Sequence, residues 1–248
     1  MDQKEILDFL RKNTQLLEDG NFDELYYRYG QEFYNIKTCT PLTALLIDAG
    51  IVPLDYLNTI PDQYARRYKL ITKVVIPENI KSIGKWAFQD CTGLTSVNIG
   101  NGVTNIGGYA FAGCKGLTSV TIPDSVTSIG AEAFSDCTGL TSIIIPNSVT
   151  SIGYGAFYRC TELTSVTISE SVTSIGEFAF SYCTGLTNVT IPNSVVKIGR
   201  YAFNNPAAIK YEGTKKEWYK ISKQRHWNGG IQKYTIHCTD GDVKGVRR

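Results

Sequence analysis

The sequence predicts an α/β solenoid, a right-handed superhelix that places one short parallel strand in each 23-residue repeat. Two observations support this prediction. The block V-T-I-P-x-S-V-T-S-I-G-x-x-A-F-x-x-C-T-G-L-T-S recurs along the middle of the 248-residue chain. Its register is strict, because a phenylalanine returns every 23 residues, at Phe88, Phe111, Phe134, Phe157, Phe180 and Phe203.

Residues 1–70 precede the repeats and read as helical. Apolar residues recur at helical spacing between Ile6 and Leu17 after Asp2, a candidate N-cap, and Gly20 ends this first helix. Thr40-Pro41 begins a later helix, with a cap followed by proline at the first helical position. The segment is interpreted as a helical N-terminal cap over the open apolar end of the stack, with a separate partner-binding domain as the alternative.

Residues 71–205 contain six repeats. Ile71-x-x-Val74-x-Ile76 returns in every copy, and its period-2 alternation predicts a short strand that pairs with the next copy. The rest of each repeat is too short for a long helix, so the return segment is expected to be irregular or a single turn. Glycine follows isoleucine at each corner, which suits either a positive φ or a close backbone approach. The inward side chains of the second repeat are predicted to be Val103, Ile106, Ala110, Phe111, Cys114, Leu117, Val120 and Ile122.

Residues 206–248 depart from the repeat and are predicted to form a small α+β C-terminal cap. Thr214-x-x-Glu217 is a capping box that begins a helix through Trp218 and Ile221. The run from Lys233 to Cys238 reads as a final strand, and residues from Thr239 onward as a tail.

Composition places the chain among ordinary soluble proteins, with 42% apolar and 19% charged residues. It contains no apolar run long enough to span a membrane, and its N-terminus lacks the apolar core of a signal peptide. A cytoplasmic location is therefore expected, with a virion or non-classical export as alternatives.

The net charge of +2 is unevenly distributed, because residues 206–248 carry +6. This basic end is interpreted as a solvated cap, and nucleic-acid binding is not predicted.

The repeat unit I-P-x-S-V-T-S-I-G-x-x-A-F-x-x-C-T-G-L-T-S resembles the BspA-like, or Treponema pallidum-type, leucine-rich repeat. The resemblance covers about residues 71–205, and the closing Tyr-Glu-Gly-Thr-Lys-Lys-Glu-Trp with Tyr-Thr-Ile-His-Cys is similar to the end that often follows such repeats. It implies a curved leucine-rich-repeat solenoid with its strands on the concave side. It also implies roles in protein binding and adhesion, since many relatives are bacterial or protist surface proteins and compact members occur in bacteriophages.

Cysteines form a second periodic series, at Cys91, Cys114, Cys137, Cys160 and Cys183. Stacked side chains run parallel, so their Cβ atoms stay too far apart for a disulfide, and a linear series does not converge on a metal ion. They are interpreted as reduced, buried thiols that pack as small apolar groups. Cys39 and Cys238 lie outside the series.

Catalysis is not predicted. The two histidines, His226 and His237, both lie in the terminal segment, and no G-x-S-x-G, phosphate-binding loop or dinucleotide fingerprint is present. Accordingly, no cofactor and no metal ion are expected.

Binding residues are expected where the repeats differ from one another. The strand positions Ser96/Asn98 and their equivalents are short, mostly hydroxylated and uniform, whereas the positions flanking Ala-Phe vary and are rich in aromatic residues. Aromatic side chains are favoured at protein interfaces, and the alternative is that they pack between adjacent return segments. The partner-binding candidates are Trp86, Tyr109, Tyr154, Tyr158, Phe178, Tyr182 and Tyr201.

Three functional hypotheses follow. The first is a non-enzymatic module that recognises another protein. The sequence names neither that partner nor the oligomeric state. The second is a bacterial surface or phage virion adhesin that contacts a host glycan or matrix protein. The third is a phage-encoded inhibitor that sequesters a host enzyme or defence protein.

Overall fold

The computed structural model describes residues 59–60, 62, 64–66, 69, 71–203, 208–230 and 233–246. The helical segment predicted over residues 1–70 lies almost wholly outside these residues. Strands are numbered in chain order, and short and long strands alternate along the chain. Each coil of the solenoid therefore has three sides: a short strand, a long strand and a run of turns.

The short strands form one parallel sheet of eight, which sequence reasoning did not predict. Each has only two residues, too few to show the period-2 pattern of a strand. The sheet extends upstream of residue 71, because Thr59–Ile60 pairs with Ser82–Ile83. Its members are β1 (Thr59–Ile60), β3 (Ser82–Ile83), β5 (Asn105–Ile106), β7 (Ser128–Ile129), β9 (Ser151–Ile152), β11 (Ser174–Ile175), β13 (Lys197–Ile198) and β15 (Ser222–Lys223).

The long strands confirm the predicted parallel ladder. Side chains alternate along them, as in Lys73–Ile76, where Val74 and Ile76 are buried while Lys73 and Val75 are exposed. The ladder divides into the sheets β2-β4-β6, β8-β10 and β12-β14-β16-β17. The parallel strands are β2 (Lys73–Ile76), β4 (Ser96–Ile99), β6 (Ser119–Thr121), β8 (Ser142–Ile145), β10 (Ser165–Ile168), β12 (Asn188–Ile191), β14 (Ala208–Tyr211) and β16 (Lys233–Cys238).

The third side of each coil, where an irregular or single-turn segment was expected, is a run of turns with a regular pattern of hydrogen bonds. In the coil of Phe88, the backbone N–H of Trp86 donates to the carbonyl of Gly108 (3.0 Å), and that of Phe88 donates to the carbonyl of Ala110 (2.7 Å). The alternate N–H groups donate backward within the coil, from Ala87 to the Gly84 carbonyl (3.4 Å) and from Gln89 to the Trp86 carbonyl (3.1 Å). Backbone hydrogen bonds therefore join the coils on the turn side as well as on the two strand sides, where the long-strand ladder is interrupted between β6 and β8 and between β10 and β12.

Phenylalanine rings form the centre of the core. The rings of neighbouring coils lie nearly parallel, with centroids 5.2 Å apart between Phe88 and Phe111 and 5.6 Å apart between Phe134 and Phe157. All six phenylalanines of the series are buried, as are all eight inward side chains predicted for the second repeat. The predicted core of the repeats is confirmed.

Glycine occupies the corner after isoleucine because the backbones of adjacent coils approach closely there. A Cβ added to Gly107 would lie 2.7 Å from the carbonyl carbon of Gly84, and one added to Gly176 would lie 2.7 Å from the carbonyl oxygen of Gly153. These glycines do not have positive φ. Of the two reasons offered by the sequence, close approach is the one the structure supports.

Recurring threonine and serine side chains bond one coil to the coil before it. The Thr118 hydroxyl donates to the carbonyl of Thr95 (3.2 Å), and the Thr164 hydroxyl donates to the carbonyl of Thr141 (3.2 Å). At another corner the Ser125 hydroxyl donates to the carbonyl of Val103 (2.7 Å). Each hydroxyl satisfies a carbonyl lone pair that the strand ladders leave unused, which accounts for the uniformity of these positions.

The last coils combine the predicted helix with an additional strand. Helix α1 (Lys215–Lys220) begins at the N-cap Thr214, and the capping box with Glu217 is present. The expectation of a tail after Thr239 is wrong, because β17 (Gly241–Val246) pairs antiparallel with β16 through a two-residue turn. Its glycine and charged residues give no alternating apolar pattern, although Val243 is buried.

The cysteine series is free and buried, as predicted. Each thiol also donates a hydrogen bond to the preceding coil, for example from Cys114 Sγ to the carbonyl of Phe88 (3.1 Å) and from Cys137 Sγ to that of Phe111 (3.2 Å). These bonds pass along the core beside the phenylalanine rings. Cys238 is free and partly exposed, and Cys39 lies outside the described residues.

Alkaline pH is expected to destabilise the fold through these thiols. Burial raises the pKa of Cys137 from 9.0 to about 12, so above pH 9 the unfolded chain loses a proton that the folded chain keeps. The stabilisation is complete below pH 9 and is lost as the pH rises towards 12, at about 1.4 kcal/mol per pH unit for each such thiol. Denaturant titrations across this range should show a shallower loss in Cys137→Ala, and equal slopes would contradict the assignment.

Candidate protein-binding surface

The seven aromatic candidates all lie on one side of the solenoid. They occupy the turn face, defined here as residues 85–90 and their equivalents at 23-residue intervals. Tyr154 and Tyr182 are about half exposed, at 49% and 52%. The other five are half-buried, because each contacts aromatic or polar side chains of neighbouring coils.

Five of the seven candidates have left-handed backbone. The φ angles are 56° at Trp86, 57° at Tyr109, 57° at Phe178, 58° at Tyr182 and 52° at Tyr201. This conformation costs a residue with a Cβ about 1 kcal/mol, and glycine avoids that cost, as Gly155 does at φ 55°. The sequence therefore places large rings at positions where local stability favours glycine.

Five rings form one continuous group in the C-terminal coils, called the aromatic cluster below. Phe178 is at its centre, with ring centroids 5.6 Å from Tyr154 and 6.5 Å from Tyr158 in edge-on geometry, and 5.4 Å from Tyr201 in stacked geometry. Tyr158 also meets Tyr182 edge-on at 5.6 Å. Edge-on and stacked pairs are each worth about 0.5–1.5 kcal/mol beyond the area they bury, so the rings of the cluster support one another without a partner.

The other two candidates form a separate pair. Trp86 and Tyr109 stack at 6.0 Å. Tyr109 Oη donates a 2.8 Å hydrogen bond to Glu132 Oε1, which raises the pKa of Tyr109. Glu132 and Gly155 interrupt the column of rings at this point. The structure thus divides the predicted site into two groups.

Two side chains that sequence reasoning did not select extend the aromatic cluster. The His226 ring stacks on Tyr201 with centroids 5.5 Å apart, and the Arg200 guanidinium lies 5.0 Å from the centroid of the same ring. A signal for His226 exists in the sequence. The run Ser222-Lys223-Gln224-Arg225-His226 matches Lys197-Ile198-Gly199-Arg200-Tyr201 at an offset of 25 residues rather than 23.

The exposed residues of the long strands form a second, more uniform surface, called the long-strand face below. Its strand positions carry mostly serine, threonine and asparagine, and these side chains point to solvent. Two apolar residues are exceptions, Val75 at 51% exposure and Ile144 at 66%.

The described residues contain no group of three histidine, cysteine, aspartate or glutamate side chains that could hold a metal ion. Within the same residues, no helix combines the length and apolar character that a membrane crossing requires.

The family model of the BspA-type leucine-rich repeat region matches this chain with six copies, over residues 58–161 and 104–228. No curated protein matches this chain significantly in sequence.

Solved structures of leucine-rich repeat proteins show the same fold. One from T. pallidum is 31% identical with a TM-score of 0.53, and the match covers 57% of this chain and 65% of that one. One from Eubacterium ventriosum is 27% identical with a TM-score of 0.57, covering 69% and 47%, and one from Bacteroides ovatus is 24% identical with a TM-score of 0.54, covering 72% and 58%. This chain thus spans about half to two thirds of their lengths. With the family model matched over more than half of its residues, the chain belongs to the BspA-type leucine-rich repeat family.

Proposed function

We propose that this chain is a non-enzymatic binding module that recognises another protein through the aromatic cluster. Proteins with leucine-rich repeats are generally binding modules rather than enzymes. The observation that carries the proposal is that five rings are gathered on one surface, at positions where three of them accept a left-handed backbone. Rings kept at a local energetic cost are expected to serve something other than folding.

The composition of the cluster supports a protein partner. Tyrosine and arginine are the residues that contribute most often to binding energy, because they combine apolar area with hydrogen-bonding groups. Tyr154 and Tyr182 offer exposed ring surface, while Arg200 and His226 supply charge and polarity at one end. The exposed ion pair between Arg159 and Asp136 (3.3 Å) adds a polar rim beside Tyr158.

Substitution of a single ring of the aromatic cluster tests the proposal. Tyr158 is suitable because its φ is not positive, so alanine there introduces no new backbone strain. Tyr158→Ala should weaken partner binding by about 2 kcal/mol, the loss typical of an aromatic anchor. The partner is first captured on the immobilised full chain and identified, and its affinity is then measured by calorimetry for the wild type and each variant.

Two matched variants control for the surface. Ser142→Lys changes an exposed residue of the long-strand face and should leave the affinity almost unchanged. Trp86→Ala tests whether the separate N-terminal pair also contributes. If Ser142→Lys abolished binding while Tyr158→Ala had no effect, the partner would occupy the long-strand face and the proposal would be wrong.

The long-strand face favours the second candidate function, adhesion to a repetitive ligand. Its uniform hydroxyl and amide groups repeat from coil to coil, which suits a polymer such as a glycan better than a folded protein. In that case Ser142→Lys would reduce retention on immobilised polysaccharide, and Tyr158→Ala would not.

A further inference from the structure

The outermost strand of the C-terminal sheet has one edge that no strand of the described residues pairs with. The sheet runs in the order β12-β14-β16-β17, so β17 (Gly241–Val246) is its last member. Such an edge presents unpaired backbone N–H and carbonyl groups, and it is a template for another strand.

The register of the hairpin shows which groups point outward. Cys238 lies opposite Gly241 across the two-residue turn, and Ile236 lies opposite Val243. In an antiparallel pair joined by such a turn, these pairs exchange hydrogen bonds with each other, and the alternate residues direct theirs away. The outward N–H and carbonyl groups of β17 therefore belong to Asp242, Lys244 and Val246, and of these Asp242 and Lys244 carry opposite charges.

The charges of Asp242 and Lys244 are complementary to the charges of the same two residues in a second copy of the chain. If two β17 strands pair antiparallel about a two-fold axis through Val243, Asp242 of each lies opposite Lys244 of the other. This register satisfies the hydrogen-bond alternation, since all four residues direct their backbone groups outward. The register centred on Lys244 also satisfies it, but that register places two lysines opposite each other, which is unfavourable.

The edge is held in position before any partner arrives. The tip of the hairpin is tied to the start of α1, because the Thr239 N–H donates to the carbonyl of Gly213 (3.0 Å) and the Lys215 N–H donates to Asp240 Oδ1 (2.7 Å). Val243 is buried against the core, whereas Asp242 and Lys244 are exposed. Asp242 already contacts His237 Nδ1 (2.9 Å), which orients its carboxylate on the solvent face of the sheet.

We propose that the chain self-associates through β17, whose outer edge pairs antiparallel with β17 of a second copy in the register that places Asp242 opposite Lys244. Edge lysines usually discourage such pairing, but here each lysine meets an aspartate. The contact joins two four-stranded sheets into one. Because it adds few hydrogen bonds and little apolar area, the dimer is weak and depends on concentration.

Charge reversal tests the register. Sedimentation velocity of the full chain, from about 10 µM to about 1 mM, should show a monomer–dimer equilibrium. Asp242→Lys and Lys244→Asp should each weaken dimerisation at least tenfold, because every cross-strand pair then joins like charges. An equimolar mixture of the two variants should dimerise again, since each pair then joins a cation of one variant to a carboxylate of the other.

Two controls separate pairing at β17 from misfolding of the variants and from association through another surface. Circular dichroism should show that both variants remain folded, and backbone amide exchange at Asp242 and Lys244 should slow as the wild-type concentration rises. The proposal would be overturned by a wild-type chain that stays monomeric at the highest concentration, by variants that dimerise as well as the wild type, or by a mixture that fails to dimerise. Protection of both amides in dilute monomer would also overturn it, because another segment would then cover the edge.

Discussion

Phe157→Ala is expected to lower the free energy of unfolding by about 3–5 kcal/mol. The Phe157 ring is fully buried, and its centroid lies 5.6 Å from that of Phe134 and 5.4 Å from that of Phe180. Alanine would leave a cavity that the neighbouring coils cannot close, because their spacing is set by backbone hydrogen bonds on both sides of the ring, such as that from the Phe157 N–H to the Ala179 carbonyl (2.9 Å). Equilibrium denaturation in urea measures the change.

Position in the stack makes this substitution especially costly. In a solenoid each coil contacts only its neighbours, so stability is approximately a sum of coil and interface contributions. Removing Phe157 weakens two interfaces near the middle of the array. The neighbouring substitution Tyr158→Ala is the matched control and should cost about 1 kcal/mol, because that ring is only half-buried. If the two variants lost equal stability, the ring stack would not be the centre of the core.

Gly153→Ala is expected to cost about 3 kcal/mol, although it adds a single methyl group. A Cβ at this corner would lie 2.8 Å from the carbonyl oxygen of Ile129 and 3.2 Å from the carbonyl carbon of Gly130. Both atoms belong to the backbone of the preceding coil, whose strand β7 pairs with β9 at Ile129 and Ile152. Relief of the contact requires two coils to separate, which breaks hydrogen bonds between them. Thermal and urea denaturation should both report the loss.

Gly155→Ala provides the comparison within the same coil. Gly155 has φ 55°, so alanine there accepts a left-handed backbone at about 1–2 kcal/mol. Its nearest neighbour would be Glu132 Cγ, the flexible side chain of an adjacent coil, and equivalent positions already hold Tyr109 and Phe178. Gly153→Ala should therefore be the more destabilising change. The opposite order would mean that backbone conformation, rather than the approach of the coils, limits these glycines.

Much of the candidate site could be located from the sequence, but its organisation could not. Comparison of the repeats within one chain identifies Tyr158 and Tyr182 as variable positions beside a buried phenylalanine, and the structure places both on the turn face. Whether the rings touch depends on residues 20 to 25 positions apart, such as Phe178 and Tyr201. The distances between these rings are set by the stacking of the coils and by the backbone φ angles, and neither produces a pattern among neighbouring residues of the sequence.

The sequence by itself determined the period, the buried series of phenylalanines and thiols, the long strands and the capping box at Thr214, because burial and capping act over a few neighbouring residues and select residue types directly. Only the tertiary structure decided the short-strand sheet, the left-handed positions at Trp86 and Phe178, the thiol hydrogen bonds and the strand β17. Each of these depends on a backbone N–H or carbonyl group whose partner lies in another coil or across a turn. Nearly every residue type carries the same two backbone groups, so residue identity does not reveal which groups pair.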